Sequence, residues 1–332
     1  MTRDKVLAMI ISADGYVSGE AISRKLGITR AAVNAAVKQI KELGYDIESS
    51  TRKGYRLLSS PDLINAGELM ARLPEDRPGE IKVYDTVDST NTVLKELARQ
   101  GAPAGSVVMS EEQTGGKGRR GRQFLSPSGT GIYLSYLLIP STGLKDISEV
   151  TAWTAVAVRD ALSEVCGVAC DIKWVNDLLL NRHKICGILT ELSIVGESGD
   201  IENVIIGIGI NVNEKTEDFP EELRDIASSI SAESDGRSFP RSELAACLIR
   251  KLDIMASEWP EGKARYLEEY RSACITNGAK VAVYSAASDT PRTGTAVDIN
   301  PDFSLQVRFD DTGNEEKVRS GEVSVRGLYG YT

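Results

Sequence analysis

Apolar residues recur at helical spacing through the first forty residues of the chain. Two such sets are Val6, Leu7, Ile10 and Ile11, followed by Ile22, Leu26 and Ile28. Gly27 stands where a left-handed residue would end the second helix, and Thr29 is a good N-cap for a third helix that reaches about Leu43. The pattern therefore predicts two helices, a tight turn and a third helix.

The third helix has an inward and an outward face. Its inward residues are Val33, Val37 and Ile40, and its outward residues, at steps of four, four and three, are Arg30, Asn34, Lys38 and Lys41. Residues 45–49 and 55–58 follow as two short strands, with Arg52 and Lys53 at the tip between them. This is the pattern of a winged helix that binds DNA through the outward residues and the tip. A dimerisation or docking module remains the alternative, since the same geometry occurs without DNA.

Ser59, Ser60 and Pro61 interrupt the pattern, and helical and strand periodicities resume after them. The predicted helices cover residues 62–73, 92–99, 148–165 and 241–257, and the predicted strands cover residues 81–84, 172–174, 178–180, 185–192, 205–213, 281–284, 294–299, 305–309 and 323–325. We expect an α+β fold with three domains. These are a winged helix in residues 1–60, a mixed-sheet catalytic domain with flanking helices in residues 61–275, and a small SH3-like β barrel in residues 276–332.

Charge divides the chain at the same place. The net charge is -9, but residues 1–60 hold 10 Lys or Arg against 6 Asp or Glu, which leaves 29 against 42 for the rest. The acidic remainder would repel nucleic acid, whereas the first sixty residues tolerate it. No apolar run is long enough to cross a bilayer, and the N-terminal apolar stretch is short and lacks a cleavage site. We therefore expect a cytoplasmic protein with no membrane partner.

Cysteine and histidine are too few for a metal or disulfide framework. The five cysteines include no CxxC pair, and His183 is the only histidine. We expect reduced and buried thiols, no disulfides and no zinc. Catalysis must then depend on other residue types.

A glycine-rich basic loop spans residues 115–124, with the sequence GGKGRRGRQF. Such a loop cannot form an apolar core, and an anion would offset the entropy lost when it becomes ordered. Freed backbone N–H groups suit phosphate oxygens, as do the side chains of Lys117, Arg119, Arg120 and Arg122. It is not a Walker loop, because GxxxxGK[ST] is absent. A solvated loop or an RNA-binding patch remains the alternative.

Two further segments have room or hydroxyl groups for a ligand. Ser89 and Thr90 stand at a predicted helix N-terminus, where they could grip a polar group, although capping of the helix is the simpler interpretation. Gly207 and Gly209 alternate with apolar residues in a predicted strand, so a ligand could approach its backbone.

Lys184 enters a buried strand, which is costly unless its ammonium group meets an anion. It is therefore the leading candidate to stabilise a reacting carboxylate and an α-phosphate. Asp177 could help to hold a magnesium ion.

The ordered conjunction of these motifs resembles the biotin protein ligases, in particular the bifunctional type that also represses the biotin operon. The matching residues are Asp88 to Asn91, Gly116 to Arg122, Lys173-Trp174, Asn176 to Leu178, Lys184, Gly187 to Leu189 and Gly207 to Asn211. The resemblance covers the whole chain, including the winged helix and the small C-terminal β domain.

The resemblance also implies roles for single residues. Biotin would contact Ser89, Thr90, Asn91 and Gln113, together with Lys117, Gly118 and Arg119 of a loop that folds over it. Lys184 would also bind biotin, through its carboxylate, and would contact the phosphate. Lys184 and Arg119 would be the catalytic residues. The ATP or adenylate set would be Lys117, Arg119, Arg120, Arg122, Phe124, Asn176, Asn211 and Arg326.

The activity implied is ATP-dependent formation of biotinoyl-adenylate with Mg²⁺, and then transfer of biotin to a lysine of a biotin carboxyl carrier protein. A homodimer formed when adenylate is bound would place two winged helices on operator DNA. Two rivals remain open. One is a lipoate-type ligase, and the other is a ligand-sensing transcription factor without catalysis.

Four positions depart from the family pattern. Lys117 replaces the first arginine of the loop, Phe124 replaces the tryptophan that covers the adenine, and Val175 stands where proline is common. Asn34 replaces an aromatic residue that related repressors often carry. Lysine keeps the charge but loses the bidentate fork of arginine, so we expect retained activity with a leakier hold on the adenylate.

Overall fold

The computed structural model describes residues 1–140, 147–195, 200–285, 290–320 and 323–327, the last of these for the backbone alone. No helix within these ranges is long and apolar enough to span a membrane.

The first sixty residues fold as the sequence predicts. Their elements are α1 (Thr2–Ile11), α2 (Gly19–Leu26), α3 (Arg30–Glu42), β1 (Asp46–Ser50) and β2 (Gly54–Ser59). Gly27 ends α2 with φ 64°, and the Thr29 hydroxyl accepts the Ala32 N–H at the start of α3. The antiparallel β1–β2 hairpin forms the wing. A separate apolar core, which includes Leu7, Ile22 and Ile40, supports the motif.

The connector helix is shorter than predicted. α4 spans Ala66–Arg72, because Asn65 caps it by accepting the Gly67 N–H. α4 lies against α1 so closely that a Cβ at Gly67 would be 2.7 Å from the Asp4 carbonyl oxygen. The hydrophobic pattern therefore breaks at residue 60, but the connector helix α4 still contacts α1 of the winged helix.

The middle of the chain forms a seven-stranded mixed sheet with the order β3-β4-β5-β9-β8-β7-β6. The strands are β3 (Ile81–Val87), β4 (Val107–Gln113), β5 (Ile132–Leu138), β6 (Asp171–Lys173), β7 (Asp177–Leu180), β8 (His183–Val195) and β9 (Asp200–Ile210). β3 and β4 pair in parallel, and the other neighbours are antiparallel. The helices that accompany the sheet are α5 (Thr90–Arg99), α6 (Ile147–Cys166), α7 (Arg241–Ser257) and α8 (Lys263–Ala273).

Several bounds correct the sequence prediction. β9 ends at Ile210, not at residue 213, and α5 begins at Thr90, two residues earlier than expected. β4, β5 and α8 were not predicted. α8 buries Tyr266, Tyr270 and Ala273 on one face, and Tyr266 stacks on Trp153 at 4.0 Å between centroids.

The last part of the chain is a five-stranded antiparallel sheet. Its strands are β10 (Lys280–Ser285), β11 (Arg292–Ile299), β12 (Leu305–Phe309), β13 (Glu315–Val318) and β14 (Val323–Gly327), in the order β13-β12-β11-β10-β14. β13 is rich in charge and has a single apolar residue, Val318, so periodicity did not predict it. Strand pairing between β13 and β14, which would close a barrel, is not found among the described residues, so closure stays a prediction. The Trp174 indole N–H donates to the Phe303 carbonyl oxygen at 2.9 Å, which joins this sheet to the central one.

Candidate active site

A pocket of about 470 Å³, its open mouth included, lies where the central strands meet the start of α5 and the basic loop. Its lining residues are Ser89, Thr90, Asn91, Gln113, Lys117, Gly118, Arg119, Phe124, Asn176, Lys184, Gly187, Ile188, Leu189, Gly207, Ile208 and Gly209. Most of these polar residues were predicted from the sequence to contact a ligand, and the fold brings them to one place.

The α5 end of the pocket is polar and buried. Ser89 occupies the N-cap position, but its side chain makes no capping hydrogen bond, so the simple capping role expected for it is wrong. Gln113 on β4 takes the capping place, because its Oε1 accepts the Thr90 N–H at 2.9 Å. The Ser89 hydroxyl is thereby left at the pocket wall.

The basic loop folds back on itself as a short turn. The Gly118 N–H donates to the Arg122 carbonyl oxygen at 2.7 Å, and the Phe124 N–H donates to the Gly116 carbonyl oxygen at 2.9 Å. Lys117 reaches the Thr92 hydroxyl at 3.0 Å. Backbone hydrogen bonds therefore hold the loop in a compact turn.

Arg119 points inward from this turn and connects three parts of the fold. It donates to the Asn176 side-chain oxygen at 2.9 Å and to the Ser320 carbonyl oxygen of the C-terminal sheet at 2.7 Å. Burial lowers the pKa of its guanidinium group, and the nearby Asp177 carboxylate opposes that change. Arg119 is thus a partly dehydrated cation that a ligand anion can pair with.

Lys184 lies across the pocket at an irregularity of the sheet. The register of β7 against β8 shifts between Leu178 and Leu179, so that Ile185 is unpaired there and Lys184 is turned toward the site. Its Nζ forms an ion pair with Asp177 at 2.6 Å. The expected anion partner of this lysine is therefore present within the protein.

Each of the two glycines of β9 packs against a side chain that lines the pocket. A Cβ at Gly207 would be 2.3 Å from Asn91 Oδ1, and one at Gly209 would be 2.5 Å from the Phe124 ring. Phe124 also meets Tyr133 edge to face at 6.5 Å between centroids. The glycines thus let the Asn91 and Phe124 side chains approach the β9 backbone. A ligand in the pocket would contact these two side chains.

Some predicted residues lie away from the pocket lining. Arg120 and Arg122 are exposed, with Arg120 at φ 57°. The buried Asn211 side chain donates to the Ser228 carbonyl oxygen at 2.9 Å, which gives it a structural contact. Arg326 belongs to β14, but its side chain lies outside the described residues. Their contacts with nucleotide stay predictions.

Two residues that the sequence analysis missed approach the pocket from behind. Ser135 on β5 and Glu191 on β8 both contact the Asn91 side chain. No motif in the sequence marks either residue, because each is set by strand register.

A resident metal site does not fit the residues present. Across the described ranges, no three His, Cys, Asp or Glu side chains cluster as metal ligands. The Asp177 carboxylate is already paired with Lys184 and receives the Asn176 amide at 3.1 Å. The five cysteines are free and buried, and burial raises the pKa of the Cys166 and Cys170 thiols to about 12.

The polar face of α3 is exposed, as a nucleic-acid interface requires. Arg30, Lys38 and Lys41 are exposed there, and so are Arg52 and Lys53 at the wing tip. On the same surface, the Asn34 side-chain oxygen accepts a hydrogen bond from the Tyr55 hydroxyl. The wing is thereby tied to α3, and the two present one continuous surface.

Comparison with known proteins agrees with this geometry. The profile of the Biotin/lipoate A/B protein ligase family matches residues 83–211, and an HTH domain profile matches residues 2–56. The "Bifunctional ligase/repressor BirA" of Escherichia coli is 32% identical, over 97% of this chain and 96% of its own. The protein of the same name from Bacillus spizizenii is 40% identical over 66% of this chain and 67% of its own.

Solved structures give the same result. A biotin protein ligase from Aquifex aeolicus in complex with biotin and ATP superposes with a TM-score of 0.64 at 27% identity, over 75% of this chain and 99% of that one. With a ligase fold, a basic ordered loop beside a paired lysine, and an N-terminal winged helix, the chain belongs to the family of bifunctional biotin ligase/repressors.

Proposed function

We propose that this protein activates biotin with ATP to biotinoyl-5'-AMP and then transfers biotin to a lysine of a biotin carboxyl carrier protein. The observation that carries the proposal is that Lys184, which is paired with Asp177, lines the same pocket as Ser89, Thr90 and Asn91. A cation that already has a partly buried partner can exchange it for a substrate carboxylate without being left unpaired.

The first step joins the biotin carboxylate to the α-phosphorus of ATP. A carboxylate oxygen attacks phosphorus, a new P–O bond forms, and the bond to the bridging oxygen breaks as pyrophosphate leaves. Lys184 holds the carboxylate, while Arg119 faces the charge that develops on the phosphoryl oxygens. Magnesium enters as the ATP complex, since that ion keeps several waters and binds through substrate phosphates.

The second step transfers the acyl group. The acceptor lysine amine attacks the acyl carbon, AMP leaves with the bonding electrons, and the amine loses its proton to solvent. The mixed anhydride must be kept from water until then. The loop of residues 115–124 supplies that cover, with Arg119 anchored to both Asn176 and Ser320.

The winged helix links this chemistry to transcription in our proposal. Adenylate-dependent homodimerisation in the cytoplasm would bring two copies of α3 to a two-fold operator, so that operator occupancy reports biotin demand. Arg30, Lys38, Lys41 and the wing tip supply the phosphate contacts.

Mass spectrometry tests the ligase proposal. Purified protein mixed with biotin and magnesium ATP should retain biotinoyl-adenylate, whereas Lys184→Ala should lose it. Lys82→Ala, a substitution on the edge strand β3, is the matched control and should behave as wild type. Lipoate in place of biotin should give no adenylate. If wild type binds biotin but forms no adenylate, the protein is a sensor and the ligase proposal is wrong.

A further inference from the structure

The backbone of Lys184 is bonded to a segment that belongs to no strand of the central sheet. β9 pairs with β8 only as far as Ile210, and beyond that point residues 226–228 take the place of β9 beside Lys184. The Lys184 N–H donates to the Ile226 carbonyl oxygen at 2.8 Å, and the Lys184 carbonyl oxygen accepts the Ser228 N–H at 3.0 Å. Both backbone groups of the candidate catalytic lysine are therefore held by the 226–228 segment.

The other side of Lys184 faces the tight turn that joins β7 to β8. Asn181 and Arg182 form this two-residue turn, with φ 49° and 72°, and Lys184 lies opposite Leu179 of β7. Lys184 thus stands two residues from the turn, between β7 and the 226–228 segment. A shift of the turn relative to that segment would move the backbone that carries the ammonium group.

Glu233 joins the turn to the chain that follows the 226–228 segment. It lies in the short 3₁₀ turn Ala232–Ser234, and its N–H donates to the Ser229 carbonyl oxygen at 3.1 Å. Its Oε2 accepts the Asn181 side-chain N–H at 3.0 Å, and its Oε1 lies 3.0 Å from Nδ1 of His183. The Glu233 side chain is only 15% exposed, so water screens these contacts weakly.

We propose that Glu233 is a positioning residue for Lys184. Its carboxylate fixes the β7–β8 turn to the residues next to the 226–228 segment, and so closes a ring of contacts around the backbone of Lys184. This ring sets the place of the ammonium group in the pocket before substrate arrives. Glu233 is not among the described residues that line the pocket, so it acts through Lys184.

The ion pair of Lys184 with Asp177 does not set this place by itself. Asp177 begins β7, so both partners belong to one hairpin and move with it. A contact from outside the hairpin is needed to place the pair, and Glu233 supplies it near the turn. Position matters because a displacement of about 1 Å from the productive geometry can cost up to about a hundred-fold in rate. The inference rests on the proposed function, in which Lys184 holds the biotin carboxylate.

Calorimetry with Glu233→Ala tests the inference. The ligands are biotin and biotinol, in which an alcohol replaces the carboxylate, so the Kd for biotinol divided by the Kd for biotin measures what the carboxylate contributes. We expect this ratio to fall about five-fold, with the Kd for biotinol unchanged, because a displaced lysine makes a weaker charge-assisted hydrogen bond. The fitted stoichiometry counts the folded sites, so partial unfolding alone would leave the ratio as in wild type.

Glu222→Ala is the matched control. Glu222 is an exposed acidic residue in the short turn Glu221–Leu223, which precedes the 226–228 segment. The variant therefore removes the same charge from the same connection without affecting the β7–β8 turn, and it should keep the wild-type ratio. A Glu233→Ala variant that behaves like this control would overturn the inference.

Asn181→Gly decides the question if Glu233→Ala does not fold. Glycine suits the φ of 49° at this position, and the substitution removes the amide that donates to Glu233 without changing any charge. We expect the ratio to fall about two- to five-fold. An unchanged ratio, in this variant or in Lys184→Ala, would overturn the inference. Failure of wild type to form adenylate from biotin would instead overturn the proposed function.

Discussion

At the scale of single residues, the site contains two cationic side chains, Lys184 and Arg119, that are partly shielded from water and lie beside an acidic group. Lys184 is paired with Asp177 at 2.6 Å, and Arg119 is partly buried beside the same carboxylate. A buried ion without a partner costs several kcal/mol, so these contacts offset the desolvation of both side chains and orient them before substrate arrives. The pocket is therefore preorganised for anions.

Lys117 provides a test at this scale. Its ammonium group donates a hydrogen bond to the Thr92 hydroxyl at 3.0 Å. In Lys117→Arg, a planar fork could hold the same hydroxyl and a phosphoryl oxygen together, so we expect adenylate to dissociate about three- to ten-fold more slowly. Release of labelled biotinoyl-adenylate from both proteins measures this. Identical release rates would contradict the expectation.

Glu214 provides a test of pH dependence. It is 2% exposed, its Oε1 accepts the Thr130 hydroxyl at 3.1 Å, and burial raises its pKa from 4.5 to about 6. The folded state therefore favours the protonated acid, and that stability is lost as pH rises through about 6.

Glu214→Gln should remove this pH dependence. We expect the free energy of unfolding to rise by about 2 kcal/mol at pH 8 and to change little near pH 4, as measured by denaturant titration. The exposed Glu221→Gln is the control and should change it equally little at both values. A Glu214→Gln variant that is less stable than wild type at pH 8 would show that the buried carboxylate is held by contacts that outweigh its desolvation.

At the scale of elements, strand β9 contacts side chains at both ends of the ligand pocket. Its two glycines stand two residues apart on the same face, against Asn91 and Phe124 respectively. A side chain at either position must displace a different neighbour, so the two positions can be tested separately.

Gly207→Ala and Gly209→Ala form a matched pair of variants. The first would push Asn91 away and should raise the KM for biotin by about ten-fold or more, with less effect on ATP. The second would push Phe124 and should raise mainly the KM for ATP. Steady-state adenylate formation measures both constants. If each variant raised both constants equally, β9 would not separate the two subsites.

Sequence periodicity predicted the elements whose signal is local. α2 ends at Gly27 as predicted, and α3, α7 and β12 have bounds close to those predicted, because their signals lie within the element itself. It missed β4 and β5, whose burial on both faces leaves no alternation, and β13, whose apolar signal is a single Val318. Their placement depends on partners far along the chain.

The candidate site shows the same limit. The motifs found the residues that touch the pocket, including Lys184 and Arg119. They missed Ser135 and Glu191, because their roles arise only when β5, β9 and β8 pair in register. They also assigned Ser89 to capping, since nothing local shows that Gln113 from another strand would take that place.

At the scale of the whole molecule, the connector between winged helix and ligase is clamped. Arg241 is fully buried and pairs with Asp62 of the connector at 3.0 Å and with Glu111 of β4 at 2.8 Å. Glu111 in turn accepts the Ile64 N–H at 2.5 Å. The residues that lead out of the winged helix are therefore fixed to the central sheet.

Asp62→Asn tests the clamp. It leaves the buried Arg241 with one carboxylate partner, so we expect unfolding free energy to fall by about 1 to 3 kcal/mol. Glu164→Gln, which breaks surface ion pairs with Arg250 and Lys251, should cost about 1 kcal/mol or less. Chemical denaturation of the full chain measures both. Equal, small effects would mean that the connector is held by its other contacts.

The clamp and the pocket share one strand. Glu111, which holds the connector, and Gln113, which holds the Thr90 N–H, are two residues apart on β4, so their side chains leave the same face about 7 Å apart. Both contacts thus depend on the position of the same short segment of backbone. Linkage between binding sites works in both directions: any factor by which bound adenylate raised the affinity for an operator would also be the factor by which the operator raised the affinity for adenylate.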